Sequence, residues 1–146
     1  MPFDMMSIDK PARSLSILVA EDNEINALLT RTLLSKLGHR PTGVTGGEAA
    51  VAAWAQARTD GEPFDLVLMD LHMPDVDGLE TTRRIRALES GPRTPIVALT
   101  ANAFAEDRDA ALAAGMDDFL VKPLDRSRLR AILDAIPSLS QPPLVA

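Results

Sequence analysis

Five short runs of β-prone residues alternate with five segments of helical periodicity, and this alternation restricts the fold more than any other feature of the chain. The runs are Ser16–Ala20, Arg40–Val44, Leu66–Met69, Pro95–Thr100 and Asp118–Val121. Helical patterns follow them at 24–37, 47–57, 79–88 and 106–114, and a last one runs to about Ile136 behind a cap at Asp125. Most of the strand-like runs are apolar throughout instead of alternating with polar residues. Such strands are covered on both faces, which implies a parallel sheet between helical layers. Right-handed crossovers then give an α/β, doubly wound (βα)5 flavodoxin-like sandwich. Pro41 lies inside the second run and cannot donate to a ladder, so that strand belongs at an edge. The predicted order is therefore 2-1-3-4-5. The domain is expected to cover 15–137, between a flexible leader (1–14) and a disordered tail (138–146).

At 146 residues the chain suits one domain. Its net charge of −6 gives nucleic-acid binding no bulk electrostatic support, and its lack of cysteine excludes disulfides and thiolate chemistry. No apolar run is long enough to span a bilayer, and the acidic, proline-containing start does not fit a signal peptide. A cytoplasmic protein is expected, with no membrane or nucleic-acid partner.

In a doubly wound sheet, ligands bind beyond the C-terminal strand ends, near the point where strand order reverses. Polar residues recur at that edge. Glu21, Asp22 and Asn23 follow the first strand, Asp70 ends the third, Thr100 ends the fourth and Lys122 follows the fifth. Strands one and three are neighbours in the predicted order, so Glu21, Asp22 and Asp70 should converge. Three carboxylates and one lysine sum to −2, which one divalent cation neutralises. An all-oxygen set with room for water suits Mg2+. A metal, a lysine and a hydroxyl around one carboxylate suggest phosphoryl transfer, with Asp70 as nucleophile and Thr100 and Lys122 contacting the phosphoryl oxygens. Glu21 and Asp22 taken alone could simply favour the first helix dipole, and Lys122 could be a solvated lysine. All four at the same end of different strands make a coincidence hard to sustain.

The segments "VAEDNEIN", "LMDLHMPDVDGLE", "PIVALTANA" and "AGMDDFLVKP" resemble the receiver domain of two-component response regulators, and their wording is most similar to the receivers of hybrid histidine kinases. The resemblance spans about Leu15 to Pro137. It implies that Asp70 accepts phosphoryl from a phosphohistidine on a histidine kinase or histidine phosphotransfer protein. It implies that Asp22, Asp70 and the backbone carbonyl of His72 ligate Mg2+, with Glu21 acting largely through water. It also implies a cis Lys122–Pro123 bond, a switch through Thr100 and Phe119, and no enzyme activity beyond the domain's own phosphorylation and dephosphorylation. A stand-alone receiver and a hybrid-kinase segment both fit, and phosphorylation-dependent dimerisation is a further expectation.

Two other classes share the architecture. A flavodoxin-like ligand-binding module needs a phosphate cradle after strand one, where this chain places acids. An aspartyl-phosphate-type phosphatase usually carries its nucleophile after strand one, with a cap insertion. His72 reads as a rim residue, His39 as a loop histidine, Asp75 and Asp77 as turn residues, and Trp54 as a partly buried helix residue. On the first helix, Ile25, Leu28, Leu29, Leu33 and Leu37 form the arc expected to face the sheet. Ala27 and Leu34 fall outside it. Leu34 either packs on the last helix or joins Ala27, Pro123 and Leu124 in a partner-docking patch. In the fourth helix, Leu112 is the only large apolar anchor, so that helix is expected to be weakly held.

Overall fold

The computed structural model describes residues 14–101 and 105–136. The expected leader, apart from Ser14, and the expected tail lie outside the described residues. Ten elements alternate without exception: β1 (Ser16–Ala20), α1 (Glu24–Lys36), β2 (Arg40–Val44), α2 (Gly47–Thr59), β3 (Leu66–Asp70), α3 (Gly78–Leu88), β4 (Ile96–Thr100), α4 (Ala105–Ala114), β5 (Asp118–Val121) and α5 (Arg126–Ala135). All strand pairs are parallel and the sheet order is β2-β1-β3-β4-β5. β2, with Pro41, is the partly exposed edge, whereas every residue of β3 and β4 is buried. No helix among the described residues is long and apolar enough to cross a membrane.

The period-two geometry of the strands divides the core between the two faces. Leu18, Val67, Met69, Ile96 and Ala98 pack with Trp54 of α2, Ile85 of α3 and Ala111 of α4. Ile17, Val19, Leu66, Leu68, Val97 and Leu99 pack with Leu34 of α1 and Leu129 and Leu133 of α5. Trp54 is fully enclosed, its indole N–H donating to Thr94 Oγ1 at 3.0 Å. His39 lies in the loop between α1 and β2 as expected and is buried there, its Nδ1 accepting the Leu15 N–H at 3.1 Å. Burial pushes its imidazole below the ordinary value.

The face of α1 is the main departure from the sequence reading. Ala27, Thr30, Leu34 and Leu37 point inward, while Ile25 (71% exposed), Leu28 and Leu29 (63%) face solvent. Leu34 is 0% exposed and lies among the residues of β1, β3 and α5. Leu34 is therefore a core residue and cannot line a docking patch, and Ala27, 8% exposed, presents little surface to one. The wider apolar arc was the natural choice by periodicity, but the crossover from β1 to β2 decides which arc meets the sheet. α4 also differs from expectation: Leu112 is 58% exposed, and the helix is held through the smaller Ala111 and Ala114.

At the opposite end of the sheet, a nearly buried arginine fastens α3 to the segments that lead into β4 and β5. Arg86 pairs with Glu89 at 2.9 Å and Asp117 at 3.0 Å, and donates to the carbonyls of Thr94 and Gly115.

Candidate functional site

Four strand ends deliver the site. β1 runs straight into Glu21, which is buried although it is an acid, and into the exposed Asp22. β3 ends on Asp70, buried between its neighbours β1 and β4. Thr100 closes β4 and is buried. Lys122 follows β5 and is tied back by its own N–H, which donates to Thr100 O at 2.7 Å. The Lys122–Pro123 peptide is cis.

The predicted convergence is present. Carboxylate oxygens of Glu21, Asp22 and Asp70 lie within 4.8 Å of one another. Lys122 Nζ stands 2.8 Å from Glu21 Oε1 and 3.5 Å from Asp70 Oδ2, so its tighter pairing is with Glu21. The other Asp70 oxygen accepts the His72 N–H at 3.1 Å, and the His72 side chain is exposed. Burial, reinforced by Asp70, pushes the Glu21 carboxyl up to about 7 against the pull of Lys122. Burial alone would lower Lys122, but its hydrogen bond to Glu21 and the charge of Asp70 outweigh that and hold the ammonium above its ordinary value. A like-charge cluster with two of its three acids buried is costly by itself. Hard oxygen ligands in this number and charge fit Mg2+.

The neighbouring backbone is built around the same residues. Asn23 caps α1 by accepting the Asn26 N–H at 2.9 Å. Asp77 caps α3 through the Glu80 N–H at 2.8 Å. Gly78 has to be glycine, since a Cβ there would lie 2.3 Å from the Asp70 carbonyl oxygen. Phe119 is half-buried against the core, with the guanidinium of Arg108 4.5 Å and that of Arg128 5.9 Å from its ring centre. Pro123 is exposed, and Leu124 packs partly on the α1–α5 core. With Asn26, Leu29, Thr30, Leu33 and Lys122 these two line a groove beside the acidic cluster.

Two features escaped the sequence reading. The exposed stripe of α1 is Ile25, Leu28 and Leu29, whose spacing was read as core. Asp75 is more than a turn residue: it accepts from the N–H groups of Gly47 at 3.0 Å and Glu48 at 3.2 Å. With the N–H of Val76, these hold its carboxyl below the ordinary range. The available signal was α2 itself, which starts at Gly46-Gly47 without a side chain able to cap it.

Comparison with known proteins agrees with this arrangement. The response regulator receiver domain family matches residues 17–134. The sensor histidine kinase GacS of Pseudomonas protegens is 42% identical over 125 residues, covering 84% of this chain but 13% of that protein. The chain thus spans about an eighth of that relative. The two-component response regulator ORR41 of Oryza sativa subsp. japonica is 41% identical, with 83% of this chain and 93% of that protein covered. Among solved structures, the receiver domain of sensor histidine kinase PA1611 from Pseudomonas aeruginosa PAO1, crystallised with a magnesium ion in its active-site cleft, superposes with a TM-score of 0.73 at 44% identity. The overlap covers 83% of this chain and 95% of that one. A family match over residues 17–134, most of the chain, leaves one conclusion: this chain belongs to the response regulator receiver domain family.

Proposed function

We propose that Asp70 accepts a phosphoryl group from a phosphohistidine of a partner protein in a Mg2+-dependent reaction, and that the modified domain signals through its surface. The observation that carries this reading is the cluster of Glu21, Asp22 and Asp70 with Lys122 at its rim. An Asp70 carboxylate oxygen attacks phosphorus, the bond from phosphorus to the histidine nitrogen breaks, and the imidazole leaves with the electron pair. Mg2+ held by Asp22, Asp70 and the His72 carbonyl, with Glu21 beside it, would supply positive charge to the transferred oxygens. Lys122 shares that role once its pairing with Glu21 loosens, and the Thr100 hydroxyl donates to a phosphoryl oxygen. Movement of Thr100 toward the phosphoryl group, followed by Phe119, would carry the change to α4, β5 and α5. The domain then catalyses only its own phosphorylation and dephosphorylation, and the cytoplasm is its proposed compartment.

The partner has to reach Asp70 over the strand ends, where α1 begins. The exposed Ile25, Leu28 and Leu29 and the adjoining groove at Leu33, Pro123 and Leu124 suit the apolar face of a histidine-bearing helix. This surface replaces the patch expected around Ala27 and Leu34 and keeps its Pro123–Leu124 part.

Incubation with acetyl phosphate and Mg2+, followed by intact-mass measurement, tests the central step. The wild-type chain gains one phosphoryl group and Asp70→Asn gains none. Equal labelling of the two would remove Asp70 from the role.

A further inference from the structure

Two segments carry the acids of the site, and both are fastened to a third. The end of β1 is held where the Glu21 N–H donates to the Val44 carbonyl at 3.1 Å. The loop after β3 is held where Asp75 accepts from Gly47 and Glu48, the first two residues of α2, a short turn beyond Val44. The packing there is tight. A Cβ on Gly47 would fall 2.5 Å from the Val76 carbonyl oxygen and 2.2 Å from Thr81 Oγ1. At its other end the loop is closed by the Gly78 N–H donating to Leu71 O at 3.1 Å, directly over Asp70. His72 lies between these two anchors.

We propose that Asp75 is a positioning residue of the acidic site: by capping α2 from outside that helix, it clamps the loop carrying His72 to the Val44–Glu48 segment that also holds Glu21. The clamp sets the spacing between the β1 acids and the His72 backbone. This inference rests on the metal-dependent reading above. Without the clamp, the loop keeps its Gly78 closure, the His72 contact to Asp70 and the buried Leu71 and Met73, but loses its side-chain tie to the start of α2. The cation then has to order the loop on binding, which weakens its affinity.

Three variants separate a clamp from a simple helix cap and from a nearby charge. Asp75→Ala removes both the clamp and the cap. Adding Gly46→Ser restores a cap belonging to α2 itself. That serine fits only together with Asp75→Ala, because the atoms nearest a Cβ on Gly46, at 2.9 to 3.1 Å, are all in the Asp75 carboxylate. Asp75→Asn removes the charge but keeps one acceptor for the clamp.

Mg2+ affinity is measured by calorimetry at a temperature where circular dichroism shows every variant folded, and melting temperature is measured separately. Asp75→Ala is expected to bind Mg2+ about tenfold more weakly than wild type, the size of effect seen when a residue orienting a metal ligand is lost. The double variant recovers melting temperature but not affinity, and Asp75→Asn stays within about twofold of wild type. Hydrogen exchange of the 71–77 amides rises in Asp75→Ala and falls again on Mg2+ addition. Unchanged affinity in folded Asp75→Ala overturns the proposal, as does recovery of affinity by Gly46→Ser. An Asp75→Asn affinity as poor as that of the alanine variant overturns it in favour of charge alone. Failure of the wild-type chain to bind Mg2+ is a different result, since it refutes the metal-dependent reading itself.

Discussion

Glu21 carries a conflict that the metal would resolve. Burial and the proximity of Asp70 raise its carboxyl from 4.5 to about 7. Its neutral form therefore stabilises the metal-free fold fully below about 4.5, and that contribution is lost as pH rises through about 7. The cation favours the ionised form, so binding releases a proton across this range. Mg2+ affinity should strengthen about tenfold between pH 6 and pH 8, as the ionised fraction grows. In Glu21→Gln both the affinity gradient and this part of the stability gradient should flatten, as read by calorimetry and melting curves across that range. A gradient that persists in the glutamine variant would assign the titration to another group.

Two helices show how element-level features translate into function. Leu29 of α1 is exposed, so Leu29→Asp should change stability by less than about 0.5 kcal/mol. Phosphotransfer from the histidine-bearing partner should nevertheless slow about tenfold, the loss of one anchoring contact, while acetyl phosphate labelling stays unchanged. Leu34→Ala is the contrasting control, expected to cost about 2–5 kcal/mol because it empties a fully buried position. Equal loss with both donors in Leu29→Asp would make α1 a folding element and not a recognition element. α4 lacks a large buried side chain among its described residues, whereas α3 has Ile85 and the Arg86 network and α5 has Leu129 and Leu133. Amides of 106–114 should exchange before those of α3 and α5, and phosphorylation should alter their protection together with that of β5. Changes confined to the loops around Asp70 would count against a signal through α4.

For the molecule as a whole, the acidic edge is a trade between folding and function. Three carboxylates at one edge of the sheet repel one another, and one lysine offsets only part of that charge. A cation bound only by the native state adds about 2.7 kcal/mol at a hundredfold excess over Kd, which raises Tm by several degrees. The shift should shrink in Asp22→Ala, whose exposed side chain contributes little to the metal-free fold. Potassium chloride at matched ionic strength is the control. If it raised Tm as much as MgCl2 did, the stabilisation would be charge screening and not a bound ion.

The strand pattern was enough to determine the class, the sheet order and the edge where the acids meet, because parallel buried strands and right-handed crossovers leave few arrangements. Pro41 alone placed β2 at the rim. Glu21, Asp22, Asp70, Thr100 and Lys122 were legible for the same reason: each sits at or just beyond the end of a strand whose direction was known. What the pattern could not decide was rotation and remote contact. α1 has apolar residues on more than one arc, and periodicity counts them without knowing which arc the crossover turns toward the sheet. The polar atoms of the buried His39 and Trp54 are satisfied by Leu15 and Thr94, far away in sequence. Asp75 lies 28 residues from the Gly47 N–H it accepts from, so only tertiary structure could make it the cap of α2.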